Sequence, residues 1–427
     1  MKILKNVVIV NPGEKPYKGF VTIEKDKFIS VSPGDPKSQG IPEEDGCGGW
    51  LLPGLVNTHG HAGSSILRGA GDDMALDTWL KTVMWPNESK FTEETVKAAT
   101  NLAMAEMIKS GTTTFLDMYH LFVDQFAERI ADTGLKAVLG RGMIAFGTEE
   151  EKQSRLEASK HLIQQFHGSA DGRLHIAVTP HAPYTCPPEF MLKAVELALD
   201  KNVLFHTHCA ETKKEVEEHY STYGIHPVDH LHKLGAYSGK SLLAHAVHVT
   251  EAHIDLFAAH KVSISHNPMS NLKLGSGIAP VAEMIKRKVN VSIGTDSTAS
   301  NNSLDMVEEM RMAALLPKGR QEDPTVTNAD QSFSAATVGG ARALHLNKTG
   351  MLKPGWFADM ILIDPKGLHL QPQSLEKIKS HILYAMKSSD IQSVWIHGKQ
   401  LLKNRELTTL DEEKIIYEAN IQAQKLR

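Results

Sequence analysis

The chain has 427 residues, 41% of them hydrophobic, and a formal net charge of −4. That apolar share supports a sizeable core. The mixed, nearly balanced charge excludes a basic nucleic-acid tract and a polybasic membrane patch, and no apolar run approaches the roughly 20 residues of a membrane span.

In chain order, Lys5–Val10, Phe20–Ile23 and Phe28–Val31 predict short antiparallel strands joined by turns. The next apolar run ends near Val56 and leads into His59-Gly60-His61. Side chains two apart on a strand point to one side, so both histidines reach a single metal ion. Thr92–Ile108 has helical period (Val96, Ala99, Leu102, Ala103, Met107), with Thr92 suited to its start and Gly111 to its stop. Further apolar runs end near Asp117, Arg141 and Thr179, and Glu189–Leu199 reads as a helix. Asn202–His208 ends in a second His-x-His, His206 and His208, with Glu211 following. Ser241–His245 comes next, then a helix over His253–His260, a run ending at His266, and Val291–Asp296, which ends in an acid.

Apolar runs alternating with helices predict the α/β class and a parallel sheet. Eight such runs, tipped with polar residues, predict a (β/α)8 TIM barrel, whose strand ends converge on one mouth. A bare barrel needs roughly 250 residues, so the remainder must fall elsewhere. Ala358–Asp364 and Val394–Lys399 read as strands, and neither chain end is long enough for a stable sheet alone. The two ends are therefore expected to pair into one small β-sandwich. The expected division is 1–52 for its N-terminal part, 53–354 for the barrel, and 355–427 for its C-terminal part with a charged surface helix, Asp411–Leu426.

His59, His61 and one of the pair His206 and His208 offer neutral nitrogens, and Asp296 offers a carboxylate oxygen. That donor set with an open position suits zinc, which acidifies a bound water; iron(II) and manganese(II) accept the same ligands. The chain has 22 histidines, so several must be structural. His248 and His266 read as core or supporting groups, His245 has a core reading beside a catalytic one, and Glu211 has a helix-capping reading beside a proton-transfer one. Three cysteines, Cys47, Cys186 and Cys209, form no disulfide framework, and the N-terminus carries no signal-peptide pattern, so a cytoplasmic protein is expected.

Five ordered motifs then resemble the amidohydrolase superfamily. They are Pro53-Gly54-Leu55-Val56-Asn57-Thr58-His59-Gly60-His61, His206-x-His208-x-x-Glu211, Leu243-Ala244-His245-x-Val247-His248, Ser265-His266-Asn267-Pro268-x-Ser270-Asn271 and Gly294-Thr295-Asp296-Ser297. Gly355-Trp356-Phe357-Ala358-Asp359 resembles its C-terminal signature. Trp85-Pro86-Asn87-Glu88 and Pro180-His181-Ala182-Pro183-Tyr184 resemble its 5-methylthioadenosine/S-adenosylhomocysteine deaminase group, with triazine chlorohydrolases close by. The resemblance selects His208 over His206 and implies one divalent ion, zinc, on His59, His61, His208 and Asp296. Two-metal members carry a carboxylated lysine after the fourth strand, where this chain has Thr179-Pro180-His181.

The implied activity is hydrolytic release of ammonia from an adenine nucleoside, a small-molecule partner, with Glu211, His245 and Asp296 catalytic. Glu88 is expected on the ribose and His181 on the substrate. Arg141, by its place at a strand end, is expected to take an amino-acid carboxylate or to serve as a structural ion-pair partner. The alternatives are hydrolysis of another amino- or chloro-substituted heteroaromatic, such as guanine or a triazine, and an inactive barrel used for binding. The sequence leaves the oligomeric state open, a homo-oligomer included.

Overall fold

The computed structural model describes residues 1–37 and 40–426. Eight parallel strands form a barrel: β1 (Leu55–Asn57), β2 (Thr112–Tyr119), β3 (Lys136–Met143), β4 (Leu174–Pro180), β5 (Leu204–Cys209), β6 (Ser241–His245), β7 (Ser263–His266) and β8 (Asn290–Ile293). Each pairs with the next in chain order. The seam between first and last closes just beyond the strands. There Thr58 N–H donates to Ile293 O at 3.0 Å, and Asp296 N–H donates to His59 O at 3.0 Å. This closure sets His59 beside Asp296.

Parallel strands flanked by helices are covered on both faces, and β2 accordingly has every residue buried. The pleat then sorts side chains by parity. Leu116 and Met118 point into the barrel with Val138, Ala177, Leu204 and Leu242, while Phe115 joins the layer between barrel and helices. Truncating a filled interior position such as Leu116 to Ala costs about 2–5 kcal/mol. Two strands run further than the sequence predicts. Pairing continues from Arg141 with Val178 to Met143 with Pro180, so Asp117 and Arg141 lie inside their strands rather than at the tips.

The chain ends share one further sheet. Trp50–Pro53 pairs antiparallel with Met360–Ile363, joining the strands from the N-terminus to those from the C-terminus. Two pairings differ from the all-antiparallel expectation: Lys2–Ile9 runs parallel to both Glu43–Asp45 and Trp50–Pro53. Alternation again decides the faces. Leu51 packs with Leu4, Ile9, Phe28 and Trp395 in a separate small core, while Trp50 and Leu52 turn to the barrel side. The last helix, Glu412–Lys425, is capped by Asp411 and buries Ile415 and Ala419. It docks on the helix Glu93–Lys109, where Lys109 pairs with Glu412 at 2.6 Å. Among the described residues, no helix is long and apolar enough to cross a membrane.

Between β1 and Glu93 the chain folds over the mouth as short helical turns, Ala62–Leu67, Leu76–Trp79, a π-helical stretch Leu80–Met84, and Trp85–Glu88. Such π-helical stretches recur at functional sites, because the wider turn re-aims side chains.

Candidate metal centre and active site

At the mouth, His59, His61, His208 and Asp296 each present one ligand atom, and these atoms all lie within 4.8 Å of one another. His61 Nδ1 is 2.6 Å from Met118 O, and His208 Nδ1 is 2.6 Å from His181 O. A carbonyl only accepts, so both rings carry their proton on Nδ1 and turn Nε2 inward. The two Nε2 atoms are 3.3 Å apart. His59 Nε2 is buried with no hydrogen-bond partner. Asp296 Oδ1 lies 3.3 Å from His59 Nε2 and 3.2 Å from His61 Nε2.

Lone pairs converging in a buried space need a positive charge among them. The behaviour of His61 expresses that need: burial would lower it, yet the hydrogen bond to Asp296 holds it up at about 9. A divalent ion meets the same need, and three imidazole nitrogens with one carboxylate oxygen fit it in number and kind.

Local backbone explains the convergence. A Cβ on Gly294 would sit 2.8 Å from His59 N and 2.9 Å from His59 Cβ, so only glycine lets the end of β8 pass there. His245 and Asp296 both take left-handed backbone, with φ of 72° and 64°. Each such residue costs about 1–2 kcal/mol, and the turn redirects its side chain where the strand ends.

Glu211 and His245, the residues expected to carry proton transfer, sit beside the donor cluster. Glu211 Oε2 is 3.7 Å from His245 Nε2, and Ser276 Oγ donates to Glu211 Oε1 at 3.3 Å. Burial pushes the Glu211 carboxyl above its ordinary range, which suits a proton donor. The capping expectation goes elsewhere: Thr212 caps the helix Lys213–Tyr223, and Glu215 accepts the N–H groups of Ala210 and Glu211 at 2.9 and 2.7 Å.

Glu211 and His245 line a cleft at the mouth together with His61, His208 and Asp296. Trp79, Leu80, Met84 and Trp85 form an apolar wall, and Glu88 and His181 lie on the lining. Burial raises Glu88 to about 7 and lowers His181 to about 3. Arg141 is not among the lining residues. Its Nη2 donates to Asp124 Oδ2 at 2.8 Å and its Nη1 to His120 O at 3.4 Å, while His120 itself lines the cleft. His206 and His266 lie outside the donor group, and so does His248, whose Nε2 donates to Ser276 O at 2.8 Å.

Several supporting residues carry no spacing signal in the sequence. Asn271 Oδ1 accepts from His245 Nδ1 at 2.8 Å. Ser270 and Ser300 donate to Asp296 Oδ2 at 2.5 and 3.1 Å, which leaves Oδ1 to the histidines. Tyr119 O–H donates to Glu88 Oε1 at 2.9 Å, and its ring lies where a Cβ on Gly63 would be, 2.2 Å away. The motif containing Ser270 and Asn271 was visible, but only the fold shows what it holds.

Residues 50–401 match the amidohydrolase family. The 5-methylthioadenosine/S-adenosylhomocysteine deaminase of Halalkalibacterium halodurans is 48% identical over 99% of this chain and 98% of its own. Its namesake from Shouchella clausii is 42% identical over 100% of this chain and 99% of its own. Among solved structures, an adenosine deaminase from Xanthomonas campestris with bound zinc superposes with a TM-score of 0.92 at 32% identity, covering 100% of this chain and 98% of that one. Atrazine chlorohydrolase from Arthrobacter aurescens, at 23% identity and a TM-score of 0.91 over 99% of this chain and 100% of its own, shares the fold.

Proposed function

The chain belongs to the amidohydrolase family, and from that premise we propose that it is a metal-dependent deaminase of adenine nucleosides. Its substrates are 5′-methylthioadenosine, S-adenosylhomocysteine and adenosine. The observation that carries this reading is the meeting, at one barrel mouth, of the four-donor group with a buried Glu211 raised in pKa. The 48% and 42% identical relatives bearing that activity in their names support it. We assign one ion, zinc, to His59, His61, His208 and Asp296; zinc in the 32% identical Xanthomonas structure supports that choice.

When bound, the ion supplies acidity, bringing a water towards deprotonation near neutral pH. Asp296 takes the proton of the attacking water, with its Oδ2 held by Ser270 and Ser300. Glu211 protonates the ring nitrogen beside the reacting carbon, which breaks aromaticity there and makes the carbon electrophilic. His245, fixed by Asn271, hydrogen-bonds the attacking oxygen. Asp296 returns its proton to the amine, which leaves as ammonia. The hydroxyl proton left on the carbon passes to Glu211 as the carbonyl of the hypoxanthine product forms. Glu88, steadied by Tyr119, accepts the ribose hydroxyls, His181 contacts the substrate, and Arg141 takes the carboxylate of S-adenosylhomocysteine in exchange for Asp124.

An ammonia-release screen over adenosine, methylthioadenosine, S-adenosylhomocysteine, guanine and cytosine, run beside metal analysis, tests the reading. Turnover of the adenine nucleosides by protein holding one ion is expected, with both lost in His59→Ala. Metal-loaded protein that turns over only guanine, or nothing, would overturn it.

A further inference from the structure

His206 stands outside the donor group but touches it. The ring is fully buried between β6 and the ring of His59. Its Nδ1 lies 3.0 Å from Leu242 O. That oxygen only accepts, so the proton of a neutral His206 is on Nδ1 and its Nε2 is a bare lone pair. This Nε2 lies 2.9 Å from His59 Nδ1. His59 must then be the donor of that bond. A neutral His59 protonated at Nδ1 has a bare Nε2, the atom that faces Asp296 without a hydrogen-bond partner. Starting from one backbone carbonyl, each role in this chain of three groups has a single solution.

We propose that His206 is a positioning residue for the metal centre, relaying the acceptor character of the β6 backbone to His59 and so fixing which His59 nitrogen is free to bind. The inference rests on the assignment of the ion to His59, His61, His208 and Asp296. His61 and His208 obtain the same lock directly from the backbone carbonyls of Met118 and His181. Of the three ligand histidines, His59 alone takes it from a side chain. Mutation can therefore reach this lock without touching a ligand. An imidazole acceptor also orients the ring without adding a negative charge to the buried site, unlike the carboxylates that often play this part.

The test uses the full chain loaded with zinc, in wild-type, His206→Leu and His206→Gln forms. Leucine fills the space with no acceptor; glutamine carries an amide oxygen of similar reach. Zinc affinity is read by competition with a chromophoric chelator, and fold stability by thermal unfolding of the metal-free proteins. His206→Leu should weaken zinc binding by about 10- to 100-fold, and His206→Gln should recover most of that loss at similar metal-free stability. Wild-type affinity in His206→Leu overturns the proposal, as does an equal loss in both variants that follows metal-free stability. Should the leucine variant not fold, nitrogen NMR of the wild-type histidines decides: the relay requires a protonated Nδ1 on both His206 and His59, and a His206 protonated at Nε2 overturns it. Wild-type protein that takes up no zinc at all defeats the metal assignment itself and the relay with it, a result distinct from the others.

Discussion

The two ends of the barrel bury charge in opposite ways. At the bottom, Lys136 opens β3 and meets the chain-end sheet. Its Nζ lies 2.5 Å from Asp359 Oδ2, 3.1 Å from Thr349 Oγ1 and 4.5 Å from the centre of the Phe357 ring. The other Asp359 oxygen accepts the His397 N–H at 2.8 Å. Both charged groups there are fully partnered. At the mouth, His59 Nε2 has no partner, Asp296 Oδ1 faces two ring nitrogens, and the backbone at His245 and Asp296 is left-handed. Buried charge with every valence filled is structure. Buried charge with valences left open is a site.

The largest expected effect is at the mouth. General acid–base groups contribute about 10²–10⁴-fold, so Glu211→Gln should lose that much in kcat while retaining its metal. Steady-state kinetics with metal analysis on the same sample checks this. A metal-bound Glu211→Gln enzyme with near-normal turnover would leave Glu211 a supporting group and erase the contrast on the catalytic side.

The bottom should respond the other way. Removing one partner of a buried ion pair costs about 3–5 kcal/mol, because the other charge is left alone. Lys136→Met should lose that much in denaturant unfolding, with unchanged kcat/KM in the folded fraction. The double variant Lys136→Met with Asp359→Leu should recover part of the stability, since an apolar pair of similar volume replaces the ions but leaves the His397 N–H without its acceptor. A Lys136→Met enzyme that is stable but catalytically impaired would break the comparison, because the bottom would then be coupled to the mouth.

How legible the molecule was divides along the same line. The barrel strands announced themselves because a strand covered on both faces must be apolar throughout. The donors announced themselves because a metal needs specific residue types, and His59 and His61 share a strand end. The positions of Arg141 and Asp117 inside their strands were not legible, since polar residues ended the apolar run before the ladder ended. The parallel pairing of Lys2–Ile9 with Trp50–Pro53 was hidden too, because alternation fixes which face a residue takes and not the direction of its partner strand. Nor were Asn271, Ser270, Tyr119 and Lys136 assignable to their partners. Each meets its partner across 26 to 223 residues of chain, and a single buried hydrogen bond imposes no periodicity.

Arg141 is the sharpest test because it sits near the mouth but is bonded like the bottom. Asp124 holds its guanidinium at 2.8 Å, and its other nitrogen donates to the backbone carbonyl of His120, a residue of the cleft lining. The Asp124 side chain is 36% exposed, so this pair is partly solvated and weakly held compared with Lys136 and Asp359. A substrate carboxylate replaces Asp124 on the same fork, and the partly exposed Asp124 returns to water at little cost. A hydrogen bond to a charged group is worth about 1.5–3 kcal/mol, which at 1.36 kcal/mol per tenfold is about 13- to 160-fold in kcat/KM. Arg141→Ala should therefore lose that factor on S-adenosylhomocysteine and little on methylthioadenosine, which has no carboxylate. Asp124→Asn, which frees the guanidinium, should favour S-adenosylhomocysteine. Equal losses on both substrates in Arg141→Ala would place Arg141 with Lys136 as a filled structural pair, and the open valences of the mouth would then end at Glu88.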